Sequence, residues 1–366
     1  MTDKKISSVC EKFGISGEYL RFETVENGHI NNTYIAYFRR DGEIKDYVVQ
    51  KLNTYVFKNP VEVMENITAV TEFIRNKIKN GGSNAKRYVL HYQRAESGAG
   101  YYIDEEGGFW RCCRYIDDSV TFNAPDNPEI LFQAGMAFGE FQRQLADYPV
   151  KSLFITIPHF HNTVNRYKIF KNSIAENYSG RLDVVKDIVD EYLGLEDVAT
   201  GMYKMQIQGK LPLRVTHNDT KCNNVLFDKT TLNHLAVIDL DTVMPGLVAF
   251  DFGDAIRFGA NTCAEDEKDL TKVKLDFDKY DAFTSGFVSE LKDALTENER
   301  KTLALGAVTM SVECGMRFLT DYLDGDKYFK VDYAEHNLIR SKCQLQLAKN
   351  MLQNLGKMQK IVDKYC

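Results

Sequence analysis

His217-Asn218-Asp219-Thr220-Lys221-Cys222-Asn223-Asn224 runs directly into the apolar pair Val225-Leu226. A few residues later the apolar run Leu235-Ala236-Val237-Ile238 ends at a second carboxylate, Asp239. Asp219 is placed to take the proton of a hydroxyl. Asn224 and Asp239 offer oxygens to Mg²⁺, a hard cation that takes one or two protein carboxylates and fills its shell with water and phosphate oxygens. His217 is expected to pack beneath the loop and fix its shape. Alone, an Asp in a polar loop is an ordinary turn or cap residue, and Asp239 merely ends a strand. The ordered set carries the reading.

That set suits phosphoryl transfer from ATP, in which the protein positions groups and neutralises charge more than it does covalent work. The remaining chain fits a two-part layout. At 366 residues it exceeds one ordinary domain. The expectation is an α+β, bilobal protein-kinase-like fold. Residues 1–115 form an N-lobe, a nucleotide-covering sheet with one helix. Residues 116–366 form a mostly helical C-lobe with the catalytic loop, the metal site and the acceptor pocket. Strands are expected at 19–26 and 31–39, joined through the hairpin signal Asn27-Gly28, and at 46–52. A helix then starts with Asn59 as N-cap and Pro60 as its first residue. Its apolar stripe is Val63, Ile67, Val70 and Ile74. Further strands are expected around 88–92, 100–103 and 109–116, the last leading into a hinge near 113–118. Helices are expected over 128–146, 164–177, 181–204, 279–292, 297–323 and 336–362.

The phosphate-facing end is read from Asn27-Gly28-His29-Ile30-Asn31-Asn32-Thr33, where backbone N–H groups of a tight turn can meet phosphate. One glycine is a weak signal without the downstream motif. In Tyr47-Val48-Val49-Gln50-Lys51, strand alternation puts Gln50 and Lys51 on opposite faces. Gln50 occupies the position of the usual kinase lysine, and Lys51 could replace it only through a bulge or shifted register. Either Glu62 or Asn66 could face the site from the helix. Asp251-Phe252-Gly253 spells a protein-kinase metal triplet but follows Asp239 by twelve residues, so Asp251 is expected to brace the catalytic loop instead. Asp241, two residues past Asp239, is the second choice for metal.

Composition excludes several classes. Net charge is −6 and pI about 5.8, with Lys and Arg scattered, so a nucleic-acid partner is not expected. No apolar run approaches a membrane span. The eight cysteines lack Cys-x-x-Cys spacing. Together with the polar start Met1-Thr2-Asp3-Lys4-Lys5, they point to reduced thiols in a cytoplasm. His159-Phe160-His161 is the only close histidine pair and reads as a loop.

The loop 217–224 with Ile238-Asp239 resembles the aminoglycoside phosphotransferase and choline kinase superfamily. More narrowly, the chain resembles bacterial N-acetylhexosamine 1-kinases. That resemblance rests on Gly28-His29-Ile30-Asn31-Asn32-Thr33-Tyr34, Val243-Met244-Pro245-Gly246 and Glu313-Cys314-Gly315-Met316-Arg317-Phe318-Leu319. It implies transfer of the γ-phosphoryl of ATP to the C1 hydroxyl of N-acetylglucosamine or N-acetylgalactosamine, with Asp219 acting on that hydroxyl and Asn224 and Asp239 binding Mg²⁺. It also implies sugar contacts from His29, Arg317 and Tyr328. The nucleotide set is expected to be Gly28, Asn31, Asn32, Thr33, Gln50 and Tyr115. Arg317 has a competing reading as an i,i+4 ion pair with Asp321, and Tyr328 as plain core. Other readings are a kinase for another hydroxyl (a different hexose, an aminoglycoside or choline) and a pseudokinase suggested by Gln50. Arginine and histidine at the acceptor would disfavour cationic acceptors. The partners expected are ATP and a small sugar, the assembly a monomer or small homo-oligomer.

Overall fold

Strand runs and the proline-led helix of the first third assemble around one sheet. The computed structural model describes residues 1–25, 30–124 and 126–366. Helix α1 (Asp3–Lys12) precedes β1 (Glu18–Val25), β2 (Asn32–Arg40) and β3 (Glu43–Lys51). Then come α2 (Pro60–Asn80), β4 (Tyr102–Ile103) and β5 (Phe109–Arg114). The sheet is antiparallel with order β1-β2-β3-β5-β4. Strand alternation gives it two different faces. One face, with Tyr34, Ala36, Tyr47, Val49, Trp110 and Cys112, packs on Ile6, Val9 and Cys10 of α1. The other carries Val48, Phe109 and Cys113 against the stripe Val63, Ile67, Val70 and Ile74 of α2.

Several expectations change here. The reading of one helix in this region missed α1, although its signal is local. Thr2 Oγ accepts from the Lys5 N–H at 3.3 Å, and Ile6, Val9, Cys10 and Phe13 recur at helical spacing. Asn59 precedes α2 but makes no side-chain cap; its amide donates to Glu62 instead, at 3.3 Å. The strand expected at 88–92 reduces to a single bridge, Tyr92 to Cys113. The same edge of β5 is shared with β4, which pairs at Phe109 and Trp110, so neither partner extends.

Beyond the link come β6 (Ser119–Val120), α3 (Pro128–Gln144), α4 (Thr163–Glu176), α5 (Lys186–Gly194) and α6 (Glu196–Ile207). β7 (Arg214–Thr216), β8 (Val225–Asp228), β9 (His234–Val237) and β10 (Met244–Gly246) form two small sheets, β6-β8-β9 and β7-β10. Five helices close the chain: α7 (Val248–Gly259), α8 (Phe277–Leu291), α9 (Glu297–Asp324), α10 (His336–Gln353) and α11 (Leu355–Tyr365). The long helices expected at 181–204 and 336–362 are each broken, at Leu195 and Asn354. The core centres on Phe252, Phe283 and Phe287. Glycine lets α7 cross α9 closely: a Cβ at Gly253 would lie 2.3 Å from the Gly306 carbonyl oxygen. Phe252 and Gly253 of the Asp251-Phe252-Gly253 triplet are thus packing residues. No described helix is long and apolar enough to cross a membrane, and all eight cysteines are free.

Candidate active site

The loop 217–224 leaves β7 and is held from below by α7. Asp251, fully buried, accepts from the backbone N–H of His217 at 2.9 Å and of Asn218 at 2.8 Å. Gln142 of α3 donates to the same carboxylate at 2.6 Å. One turn on, Asp254 accepts from the Thr220 N–H at 3.1 Å. Together the two carboxylates brace the loop from one helix, the role expected for Asp251. His217 lies under it. Its Nδ1 accepts from the Asp219 N–H at 3.2 Å, so its proton sits on Nε2 and is donated to the Ile238 carbonyl at 2.8 Å. Asn218 adopts φ 64 and donates to the Thr242 carbonyl at 2.9 Å. A left-handed backbone is tolerated by Asn and Asp better than by most residues.

This bracing presents Asp219, Asn224 and Asp239. Asp219 is about a quarter exposed, and Lys221 Nζ sits 2.9 Å from its carboxylate. The Asn224 amide donates to the Asp219 carbonyl at 2.8 Å, leaving its own Oδ1 free to face a cation. The Ile238 N–H donates to the Asn224 carbonyl at 2.9 Å, which ties the segment reaching Asp239 to the loop. Asp239 also has a left-handed backbone, φ 57. It is solvent-exposed yet crowded at short range by protein. That crowding pushes its carboxyl up to about 6, and the charges of Asp241 and Asp219 add to the effect. Among the described residues no three or more His, Cys, Asp and Glu gather into a ready-made metal cage. A cation here would need oxygens from a ligand, as Mg²⁺ commonly does.

At the phosphate end, Gly28 and His29 lie outside the described residues. Thr33 Oγ accepts from the Gln50 amide at 3.0 Å, and the Gln50 oxygen accepts from Arg111 Nε at 2.8 Å. Gln50 is therefore engaged within the sheet. Lys51 faces the other way, 5.7 Å from the Trp110 ring centre, and the β3 ladders carry no bulge that would turn it round. The positive charge on the cleft face belongs to Arg111, buried and paired with Asp241. Asn31 donates to the same carboxylate at 2.7 Å. Asn32 is exposed, and Tyr115 follows β5 with its N–H on the Asp46 carbonyl. Of the two α2 residues weighed, Asn66 is the one that bonds across the cleft, to the Val243 and Phe154 carbonyls at 3.0 and 2.9 Å. The strand ends at Val237 and residues 240–242 turn, so alternation does not carry Asp241 to the face of Asp239.

Arg317 and Tyr328, expected to contact the acceptor, come together with Arg166, Asp321 and Asp324 around a cavity of about 170 Å³ walled by Ile169, Met316 and Phe329. The i,i+4 pair with Asp321 does not form. Asp321 instead accepts from the backbone N–H groups of Lys327, Tyr328 and Phe329 and from Asn337. Among the described residues Arg317 has no carboxylate partner; it lies 5.4 to 6.0 Å from the ring centres of Phe329, Tyr328 and Phe160. Tyr328 is 70% exposed, so it is not core. Phe160 joins this cavity to the catalytic loop, because the next residue, His161, bonds the Asn218 carbonyl at 3.1 Å and Glu313 at 2.8 Å. Burial opposes charge on His161, but Glu313 outweighs it and raises the pKa; the Glu313 carboxyl is correspondingly lowered despite its burial.

Sequence reading missed Lys221, Arg111, Arg166 and the His161–Glu313 pair. Lys221 was in view inside the quoted loop. Arg111 lies between the apolar residues Trp110 and Cys112 in β5, a signal of buried pairing that was open to reading.

Comparison with known proteins adds the following. The sequence pattern described as "Phosphotransferase enzyme family" matches residues 22–282. An aminoglycoside phosphotransferase from Alicyclobacillus acidocaldarius superposes with a TM-score of 0.64 at 10% identity, covering 98% of this chain and 96% of that one. A choline kinase from Cryptosporidium parvum superposes at 0.58 and 15%, covering 100% and 99%. Spectinomycin phosphotransferase, solved with ADP and spectinomycin, superposes at 0.58 and 13%, covering 96% and 99%. At such identities the likeness speaks for the fold, which is the protein-kinase-like α+β arrangement.

Proposed function

The chain belongs to the phosphotransferase enzyme family, and from that premise we propose that it transfers the γ-phosphoryl group of ATP to the C1 hydroxyl of an N-acetylhexosamine. Residues 1–115 would cover the nucleotide; residues 116–366 would supply base, cation ligands and acceptor pocket. Asn224 and Asp239 would hold Mg²⁺, which when bound would offset the negative charge of the nucleotide phosphates. The fit rests on the free Asn224 Oδ1 and on a crowded Asp239 carboxylate that has no partner among the described residues. Asp219 takes the proton of the acceptor hydroxyl, whose oxygen forms the new P–O bond as the bond to the ADP oxygen breaks. Lys221, 2.9 Å from the Asp219 carboxylate, would hold it in orientation for the acceptor.

One observation carries the acceptor class: Arg166 and Arg317 line the same cavity, and Arg166 bonds the carbonyl of Phe160, whose neighbour His161 bonds the loop at Asn218. Two guanidiniums repel a cationic acceptor and donate well to sugar and amide oxygens, while Ile169, Met316 and Phe329 offer apolar surface to an acetyl methyl group. A second reading, an amino alcohol, draws on Asp324, whose Oδ1 is buried without a partner at that cavity.

The test is a panel of N-acetylated and plain reducing sugars and amino alcohols with Mg²⁺-ATP, following ADP release and locating the new phosphate by NMR. N-acetylhexosamine 1-phosphate is the expected product. Faster turnover of an amino alcohol would replace the sugar reading by the second. Asp219→Asn should retain nucleotide and lose about 10²–10⁴-fold in kcat; normal turnover in it would remove Asp219 as the base.

A further inference from the structure

We infer that Arg111 decides which of two neighbouring carboxylates takes the cation: it holds Asp241 in a buried pair and leaves Asp239 alone at the cleft. This rests on the phosphotransferase reading above. Asp239 and Asp241 are two residues apart in one turn, and by residue type either suits Mg²⁺. Their surroundings separate them. Asp241 is 4% exposed and both its oxygens are taken, one by Arg111 Nη1 and the other by Asn31 Nδ2. Arg111 is 1% exposed and cannot swing out to solvent. Its orientation is fixed by the second bond, Nε to the Gln50 oxygen, and Gln50 is fixed in turn by Thr33. The Asn31 oxygen accepts from the Asn53 N–H at 3.0 Å, which closes the network on the sheet side. Asp239 has no hydrogen-bond or ion-pair partner among the described residues.

A neutral Gln50 suits this arrangement. A lysine there would compete with Arg111 for Asp241, and one cation would be left buried without a partner, which is costly. Arg111 is thus a positioning residue that acts through its pair with Asp241.

The test measures Mn²⁺ affinity of the ADP complex by titration calorimetry in wild type, Asp241→Asn, Arg111→Met and the double variant. Asp241→Asn should bind Mn²⁺ within about threefold of wild type, because Asp241 is not a ligand. Arg111→Met should release a second carboxylate and bind at least fivefold more tightly, with Arg111→Met/Asp241→Asn returning to the wild-type value. A tenfold loss in Asp241→Asn overturns the inference, and so does unchanged affinity in a folded Arg111→Met. If either single variant does not fold, the double variant, which strands no buried charge, decides: a tenfold loss in it overturns the inference. A wild type that binds ADP with no dependence on divalent cation overturns the phosphotransferase reading and this inference with it. Loss confined to Asp241→Asn overturns this inference only.

Discussion

Replacing Asp251 by Asn tests whether α7 sets the shape of the catalytic loop. The carboxylate is fully buried and accepts three bonds: from the His217 N–H, the Asn218 N–H and the Gln142 amide. Asparagine keeps the shape but has one acceptor oxygen. If that oxygen stays on the Asn218 N–H, the new amide faces two donors. Gln142 can resolve one conflict by turning over, since its own oxygen is buried without a partner. The His217 N–H cannot turn and is left unsatisfied. An unpaired buried donor costs about 1–3 kcal/mol, and bonds to a charged acceptor are stronger than those to a neutral one. We expect about 2–4 kcal/mol in total, a fall in Tm of about 3–5 °C for a chain of this size. Turnover should fall about 10–100-fold, because Asp219, the proposed base, sits two residues from the freed amide and small misplacements of a reacting group are costly. Circular dichroism melts read the first quantity and steady-state kinetics the second. A variant that melts with wild type and turns over at the wild-type rate would show that the loop holds its shape without α7.

Gly253→Ala would place a Cβ 2.3 Å from the Gly306 carbonyl oxygen and 2.8 Å from the Ala307 nitrogen, both backbone atoms that cannot move aside. It should lose about 1–3 kcal/mol or more of stability in a urea titration, and an unchanged midpoint would contradict the close crossing of α7 and α9. The His161–Glu313 pair predicts a pH dependence. His161 has a raised folded pKa, so its contribution is fully present below the ordinary histidine range and is lost as pH rises through the folded value. Glu313 has a lowered one, so its contribution is present above the ordinary carboxylate range and is lost as pH falls through its folded value. The stability gap between wild type and Glu313→Gln should therefore be widest between those two limits and shrink towards alkaline pH; a gap that is flat with pH would refute the pairing.

What was legible in the sequence was local. Asp219 and Asn224 lie within six residues, and the order of proposed base, amide and carboxylate needs no knowledge of the fold. The apolar stripe of α2 was legible because periodicity is a property of one element. The phosphate end was not. Arg111 and Asp241 are 130 positions apart, and nothing in either neighbourhood says that the two meet. The reading of Gln50 as a bare substitution for a lysine followed from that gap. It weighed one strand, whereas the charge on that face of the sheet arrives on the strand beside it, directly opposite Gln50 in the ladder.

The acceptor side shows the same limit in a sharper form, because there a sound local rule pointed the wrong way. Residues i and i+4 on a helix are neighbours, and opposite charges at that spacing gain only about 0.2–0.5 kcal/mol. Against that, Asp321 is offered three backbone N–H groups of the chain just past α9 and the amide of Asn337. Each such bond to a charged acceptor is worth more than the surface pair, about 1.5–3 kcal/mol. The carboxylate therefore turns to the 327–329 segment and fixes it, which places Tyr328 and Phe329 against the guanidinium it has declined. Arg317 is left with aromatic faces and the cavity as its surroundings. A single choice by Asp321 thus both builds one wall of the proposed acceptor pocket and frees the cation that lines it.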